Sequence, residues 1–294
     1  MEDGEIERAV KNIESLGLRV KLGENIRLKR GTYAGTPFQQ VQDLHAMFLD
    51  REVKAIWGGR GGSGCSLLLP LLDYALIRSH AKILVGFSDI TALHLAIHRH
   101  AGIVTYHGPA AISTFSDYSV AQLRAVLMEP QRELTIHGAA ENRARATAEP
   151  AFAERVIRAG TATGPLVGGN LAVLTALVGT PYAARMKGAI AFLEDINEAP
   201  YRINRMLTQL DQSGDLRHAA GAMLGVFVRC EATPGEPSLT LAETLEDRFG
   251  ALQIPSASGF SFGHVRHHFT IPLGIRARLD TEAFTLTLLE PAVS

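Results

Sequence analysis

The chain has 294 residues, 46% of them hydrophobic and 20% charged, which is enough apolar material for a packed core and argues against a disordered chain. Its 29 lysines and arginines against 30 aspartates and glutamates leave a net charge of −1, without the basic surplus that phosphate-backbone binding leaves on a sequence, so no nucleic-acid partner is expected. Apolar runs such as Leu67–Leu72, broken by Pro70, fall far short of the roughly 18 residues that cross a bilayer, and no membrane partner is expected either.

The acidic start, Met1 to Glu5, has neither a basic segment nor an apolar stretch of the kind that opens a secretory signal, so the chain reads as cytoplasmic. Two cysteines, Cys65 and Cys230, make neither a disulfide framework nor a paired zinc motif. At roughly 150 residues per domain, two domains are expected.

In chain order, the spacing predicts a helix over 5–16, a short apolar stretch at 18–22 and a second helix near 38–49. Apolar runs at 53–57, 83–87 and 103–106 then alternate with helical segments, the pattern of a parallel sheet with helices on its faces. This gives an α/β domain over 1–127. Residues 128–163 are rich in Ala, Arg and Glu with weak periodicity and read as a connecting segment carrying a strand or two.

A second domain is expected over 164–294, mixed and β-rich. Asn170 in Gly168-Gly169-Asn170 is placed to cap a helix bearing Leu171, Leu174 and Val178. A strand at 189–193, a helix at 201–213 stopped by Gly214, a strand at 223–228 and a helix at 239–249 follow. Three strands at 269–271, 275–279 and 284–289 close the chain.

The sharpest local feature is Gly86-Phe87-Ser88-Asp89-Ile90-Thr91, an apolar strand running through Gly-x-Ser into helical spacing, which looks like a nucleophile elbow. There Ser88 would project above the sheet edge and the Asp89 amide could face an oxyanion; Ile90 replaces the usual second glycine, and a serine that only caps the helix is the competing reading. Upstream, Gly58 to Gly64 holds five glycines in seven residues after a strand. Its spacing fits neither a dinucleotide fingerprint nor a Walker loop, leaving a second oxyanion donor or a plain turn. Glu194 and His264 supply an acid and a base in the order serine, acid, histidine, with Asp195 and Glu198 competing for the acid's role and a solvated loop histidine as the alternative for His264. His94 and His98, at i and i+4, are read as a solvated helix face rather than a metal chelate, and His107 as a residue lining the cleft beside Ser88.

Together these stretches resemble the serine LD-carboxypeptidase family, which includes muramoyl-tetrapeptide carboxypeptidases and microcin-immunity peptidases. The resemblance rests on Arg60-Gly61-Gly62 with Leu68-Leu69-Pro70 and Asp73, Gly86 to Thr91, His107-Gly108-Pro109, Gly168 to Leu171, Gly179-Thr180-Pro181, Leu193-Glu194-Asp195 with Pro200-Tyr201, and Gly263-His264, all in family order. It implies Ser88 as nucleophile, His264 as general base and Glu194 as its orienting acid, with Asp195 and Glu198 set aside. The implied oxyanion hole is made by the amides of Asp89 and Gly62, and Arg60 and Arg205 are guessed as partners of the substrate carboxylate.

The resemblance further implies hydrolysis of the bond to a terminal D-alanine in murein tetrapeptides, no metal or organic cofactor, and a homodimer. An immunity-type peptidase acting on a peptidyl-nucleotide amide and a silent murein-peptide binder are the alternative readings. Departures from the family pattern are Ser63 where a tyrosine is usual, Leu67 near a usual arginine, and Asn204 before Arg205 where an aspartate is common. The family's opening strand is also absent, so a longer chain is expected to be more stable.

Overall fold

The computed structural model describes residues 1–293. Helix α1 (Asp3–Glu14) starts with a capping box between Glu2 and Glu5 and buries Ile6, Ala9 and Ile13. Helix α2 (Pro37–Leu49) has its own capping box, Thr36 with Gln39, and a proline in its first turn, where the missing N–H costs nothing. Strand β1 (Ala55–Trp57), helix α3 (Tyr74–Ser79), strand β2 (Ile83–Gly86), helix α4 (Thr91–Ala101) and strand β3 (Thr105–His107) form a parallel three-strand unit with its helical crossovers. Helix α5 (Asp117–Leu127), capped by Ser116, completes this half.

The second sheet begins at β4 (Leu134–His137) and continues, past helix α6 (Ala140–Arg145), through β5 (Arg155–Arg158) and β6 (Thr161–Asn170). Residues 128–163 are therefore no simple bridge: β4 and β5 form the two edges of the eight-stranded sheet. Then come helix α7 (Leu171–Ala176), β7 (Ile190–Glu194), helix α8 (Pro200–Gln212), β8 (Gly221–Val226), helix α9 (Leu241–Leu252) and β9 (Ser256–Gly263), followed by β10 (Ile271–Leu273), β11 (Arg276–Asp280) and β12 (Thr285–Leu288).

The order across the second sheet is β4-β12-β11-β6-β7-β8-β9-β5. Its centre, β6 to β9, is parallel, because α7, α8 and α9 carry the chain back between successive strands; the flanking pairs are antiparallel. Strand β10 departs from this sheet and pairs antiparallel with β3, so the first sheet has the order β1-β2-β3-β10. One apolar cluster runs through both halves, from Phe48 and Ile97 to Phe192, Phe227 and Phe262.

Strand β6 is a central strand despite its Thr-Ala-Thr-Gly-Pro-Leu-Val-Gly-Gly-Asn sequence. Its glycines permit a close approach: a Cβ on Gly164 would lie 2.3 Å from the Gly188 carbonyl oxygen, and one on Gly168 would lie 1.8 Å from that of Phe192. Packing thus overrides the turn propensity of the local sequence. The carboxyl ends of β6, β7, β8 and β9 share one edge of the sheet, the edge where parallel sheets place ligands. Among the described residues, no helix is long and apolar enough to cross a membrane.

Candidate active site

Ser88 follows β2 directly and has φ 63°, a left-handed conformation that costs a non-glycine residue about 1–3 kcal/mol. The turn is tight because Gly86 has no side chain: a Cβ there would lie 3.0 Å from Ile90. The chain then enters a short 3-10 turn, Ser88–Ile90, and α4. This is a strand–turn–helix elbow with a half-buried serine at its apex.

The glycine-rich segment closes over that apex. A Cβ on Gly61 would lie 2.8 Å from the Ser88 Cβ and 2.9 Å from its Oγ, so only glycine fits. The next peptide carries the Gly62 amide, at a residue with φ 133° and open space on its side-chain side. The segment is fastened from the elbow itself: the Asp89 carboxylate accepts the Cys65 backbone N–H at 2.9 Å. Burial, together with the Asp89 carboxylate, pushes the Cys65 thiol up, and this cysteine is free, as is Cys230.

Glu194 ends β7 and is fully buried. His264 comes immediately after β9, a strand that the sequence pattern did not reveal. The β8·β9 ladder shifts register between Leu224 and Val226, which brings Gly263 level with Val226. Gly263 has φ 108°, and a Cβ there would lie 3.0 Å from the Glu194 Cβ and 2.9 Å from its Oε2. A side chain at 263 would therefore hold the two strand ends apart.

The result is a continuous chain of hydrogen bonds. His264 Nδ1 lies 2.8 Å from Glu194 Oε2, and His264 Nε2 lies 3.2 Å from Ser88 Oγ. With Nδ1–H donating to the carboxylate, Nε2 is left to accept from the serine hydroxyl. Burial alone would push His264 down, but the hydrogen bond and charge of Glu194, with Asp195 behind it, outweigh this and raise it above its ordinary value; Arg229 opposes the rise. Phe87 supports the imidazole, with ring centroids 4.9 Å apart.

The two sheets meet beside this chain. The Asn170 backbone N–H donates to Thr91 Oγ1 at 3.0 Å, joining the end of β6 to the start of α4. Gly169, with φ 140°, lies against the same threonine, where a Cβ would be 2.5 Å from its side chain. Asn170 also caps α7 through Val173 and sends its Nδ2 to Glu194 Oε1 at 3.3 Å and Asp195 Oδ1 at 3.0 Å. Asp195 holds α7 in turn by accepting from the Ala172 N–H. Burial, then the charge of Glu194, raises Asp195 to about 6.

Other sequence-derived candidates take different places. His107 is fully buried against Phe87, Phe192, Phe262 and His268, so it lies behind the site and does not line the cleft. Burial, reinforced by neighbouring histidines, drives it well below its ordinary value, and burial takes His268 to about 3. His94 is buried too, its Nε2 on the Gly86 carbonyl oxygen at 2.9 Å, which ties the elbow helix to β2. Arg60 is exposed and pairs with Glu5 of α1 at 3.0 Å. Arg205 lies over the Tyr201 ring, 5.4 Å from its centroid.

Thr91, Asn170 as the link to the acid, and the Asp89 side chain were missed as site residues by the sequence reading. Only the Gly-Gly-Asn string hinted at the joint, through its cap. Among the described residues, no group of three or more His, Cys, Asp or Glu side chains is arranged to hold a metal ion.

Residues 1–108 match the family model described as LD-carboxypeptidase N-terminal domain, and residues 163–279 match the LD-carboxypeptidase C-terminal domain. A probable murein peptide carboxypeptidase of Bacillus subtilis is 38% identical over 98% of this chain and 88% of its own length. The murein tetrapeptide carboxypeptidase of Pseudomonas aeruginosa is 31% identical over 94% of this chain and 88% of its own. Among solved structures, a muramoyltetrapeptide carboxypeptidase from Oxalobacter formigenes superposes with a TM-score of 0.83 at 28% identity, covering 98% of this chain and 95% of the other.

Proposed function

The chain belongs to the LD-carboxypeptidase family and is a serine-type carboxypeptidase; from that membership and the geometry at Ser88 we propose that it removes the terminal D-alanine from murein tetrapeptides during cell-wall recycling. The observation that carries this reading is the unbroken chain from Ser88 Oγ through the His264 imidazole to Glu194.

In the proposed reaction, Ser88 Oγ attacks the carbonyl carbon of the bond to D-alanine as its proton passes to His264 Nε2. Glu194 keeps the imidazole in the tautomer that can accept this proton and stabilises the imidazolium. The carbonyl oxygen becomes an oxyanion that accepts hydrogen bonds from the Asp89 and Gly62 amides. As the tetrahedral intermediate collapses, the C–N bond breaks and His264 returns its proton to the departing amine, leaving an acyl-serine. Water then attacks the ester carbonyl as its proton passes to His264, and collapse of the second tetrahedral intermediate returns that proton to Ser88 Oγ and releases the shortened peptide as its acid. No step uses a metal or an organic cofactor. The protein acts in the cytoplasm, on peptides returned from the wall, and works as a homodimer.

The test is D-alanine release from a disaccharide-free murein tetrapeptide by the wild type and by Ser88→Ala. Release by the wild type, with a loss of about 10³-fold or more in the folded variant, is expected. Release by neither protein, or equal release by both, overturns the proposal.

A further inference from the structure

A carboxypeptidase must distinguish a free terminal carboxylate from a peptide that continues, and a guanidinium, with its planar pair of donors, suits that task. Arg60 is held by Glu5, Arg202 by Glu198 and the Tyr201 hydroxyl, and Arg205 lies on the Tyr201 ring. Arg229 differs from all three in both its place and its partners.

Strand β8 lies between β7, which ends in Glu194, and β9, which leads into His264. Pairing of β7 with β8 continues beyond Glu194: Val228 N–H donates to the Asp195 carbonyl, Asn197 N–H donates to the Val228 carbonyl, and Ile196 bridges Val228. Arg229 therefore stands in the turn just past β8, level with Asn197 and three residues beyond Glu194 along the ladder. Its φ is 55° and that of Asn197 is 62°, two left-handed non-glycine residues facing each other across the ladder. Such a conformation is uncommon for arginine and tolerated by asparagine; it persists where surrounding structure imposes it and is concentrated at functional sites.

The pair is joined by its side chains, with Arg229 Nε donating to Asn197 Oδ1 at 2.7 Å. That bond pins the root of the guanidinium. Among the described residues, its two outer nitrogens take no protein acceptor, and the side chain is exposed. Arg229 is also the positive side chain that acts most strongly on His264, opposing Glu194 and Asp195. A cation beside the catalytic base lowers that base's proton affinity, a disadvantage that a bound carboxylate would cancel.

We propose that the outer guanidinium nitrogens of Arg229, pinned by Asn197 in the turn past β8, receive the terminal carboxylate of the peptide substrate. The assignment rests on the carboxypeptidase reading above and extends it by naming the specificity residue, displacing Arg60 and Arg205 from that role.

The test compares a murein tetrapeptide ending in free D-alanine with its D-alaninamide counterpart, using wild type, Arg229→Gln and Arg229→Lys. The wild type is expected to prefer the acid. Arg229→Gln should lose about 10- to 100-fold in kcat/KM on the acid, mainly through KM, and less than about threefold on the amide. Arg229→Lys should recover part of the acid activity and none of the bidentate remainder. Equal losses on acid and amide would mean a structural role and overturn the assignment, as would an unchanged preference in Arg229→Gln. A wild type that cleaves both peptides equally overturns this inference alone, whereas one that cleaves neither overturns the functional reading with it.

Discussion

Ser88 and the pair proposed to activate it, Glu194 and His264, are positioned in opposite ways. In the first sheet, the geometry of Ser88 is settled within a few residues: β2 ends at Gly86, Ser88 takes φ 63°, and α4 begins at Thr91. In the second sheet, Glu194 and His264 are 70 residues apart in sequence and meet only because β7, β8 and β9 are in register up to the shift at Leu224/Val226. The first arrangement can be found by reading a short string of residues, and the second needs the whole sheet. The difference also locates where each half is vulnerable: strain and close glycine contacts at the elbow, strand register and burial at the acid–base pair.

Changing Glu194→Gln attacks the remote half while leaving its shape in place. By analogy with triads in general, kcat should fall by about 10²- to 10⁴-fold, because the amide no longer favours the required tautomer. The same change removes the hydrogen bond and charge that raise His264, so the acid limb of kcat/KM should move to lower pH. A pH–rate profile checks both. An unmoved acid limb would mean that another group titrates.

The joint between halves gives a second break point. Gly169→Ala would place a Cβ 2.5 Å from Thr91, at a residue whose φ is 140°. Overpacking of this kind costs about 1–3 kcal/mol, and kcat should drop by about 10-fold or more as α4 is displaced from β6. Calorimetry and steady-state kinetics on one preparation would show whether stability and rate fall together.

Within the elbow, Asp89→Ala removes the acceptor that fastens the glycine segment at Cys65, and the Gly62 amide loses its fixed position. If the Gly62 amide is the proposed oxyanion donor, which would act mainly in the transition state, the loss is about 10- to 100-fold in kcat with KM little changed. Asp89→Asn, which keeps an acceptor, should recover much of the loss.

The smallest expected effect on rate comes in mild acid, where the change falls on stability. His94 at about 4, His268 at about 3 and His107, also well below its ordinary 6.5, are buried and neutral. Below about pH 6.5 the unfolded chain binds protons that the native rings refuse, so each makes stability fall as pH drops from about 6.5 toward 4, by up to about 1.4 kcal/mol per pH unit. Asp195, raised from 3.8 to about 6, acts in the opposite direction, since the native state holds its proton between those values. Raised His264 also favours the native state at low pH, an advantage lost as pH climbs through its folded value. His45 and His98, also lowered by burial, act with these three, and five histidines against two raised groups leave a net loss in acid; His268→Gln should reduce the slope of melting temperature against pH.

The parallel strands of the first sheet and the elbow were legible because apolar runs, Gly-x-Ser and helical spacing coincide within a few residues. Strand β6 was not, since Gly164, Pro165, Gly168 and Gly169 read as turn residues while their real function is close packing against β7 and α4. Strand β9, Ser-Ala-Ser-Gly-Phe-Ser-Phe-Gly, was hidden for the same reason, which left His264 looking like a residue before a strand when it follows one. His107 was misplaced because the carboxyl end of β3 is the correct edge, yet its side chain points into the core. The left-handed backbone at Arg229 leaves no trace in local sequence pattern, whereas asparagine at 197 is a residue that tolerates it.

The measurement that bears most directly on two separately built halves acting as one catalytic unit is a double-mutant cycle on tetrapeptide hydrolysis with Ser88→Ala, His264→Ala and the pair. Residues that act as a unit give non-additive losses, so each single change should cost about 10³-fold or more in kcat and the pair only a few-fold beyond either. Losses that multiply in the double variant, or substantial turnover by Ser88→Ala, would contradict a shared Ser88–His264–Glu194 mechanism.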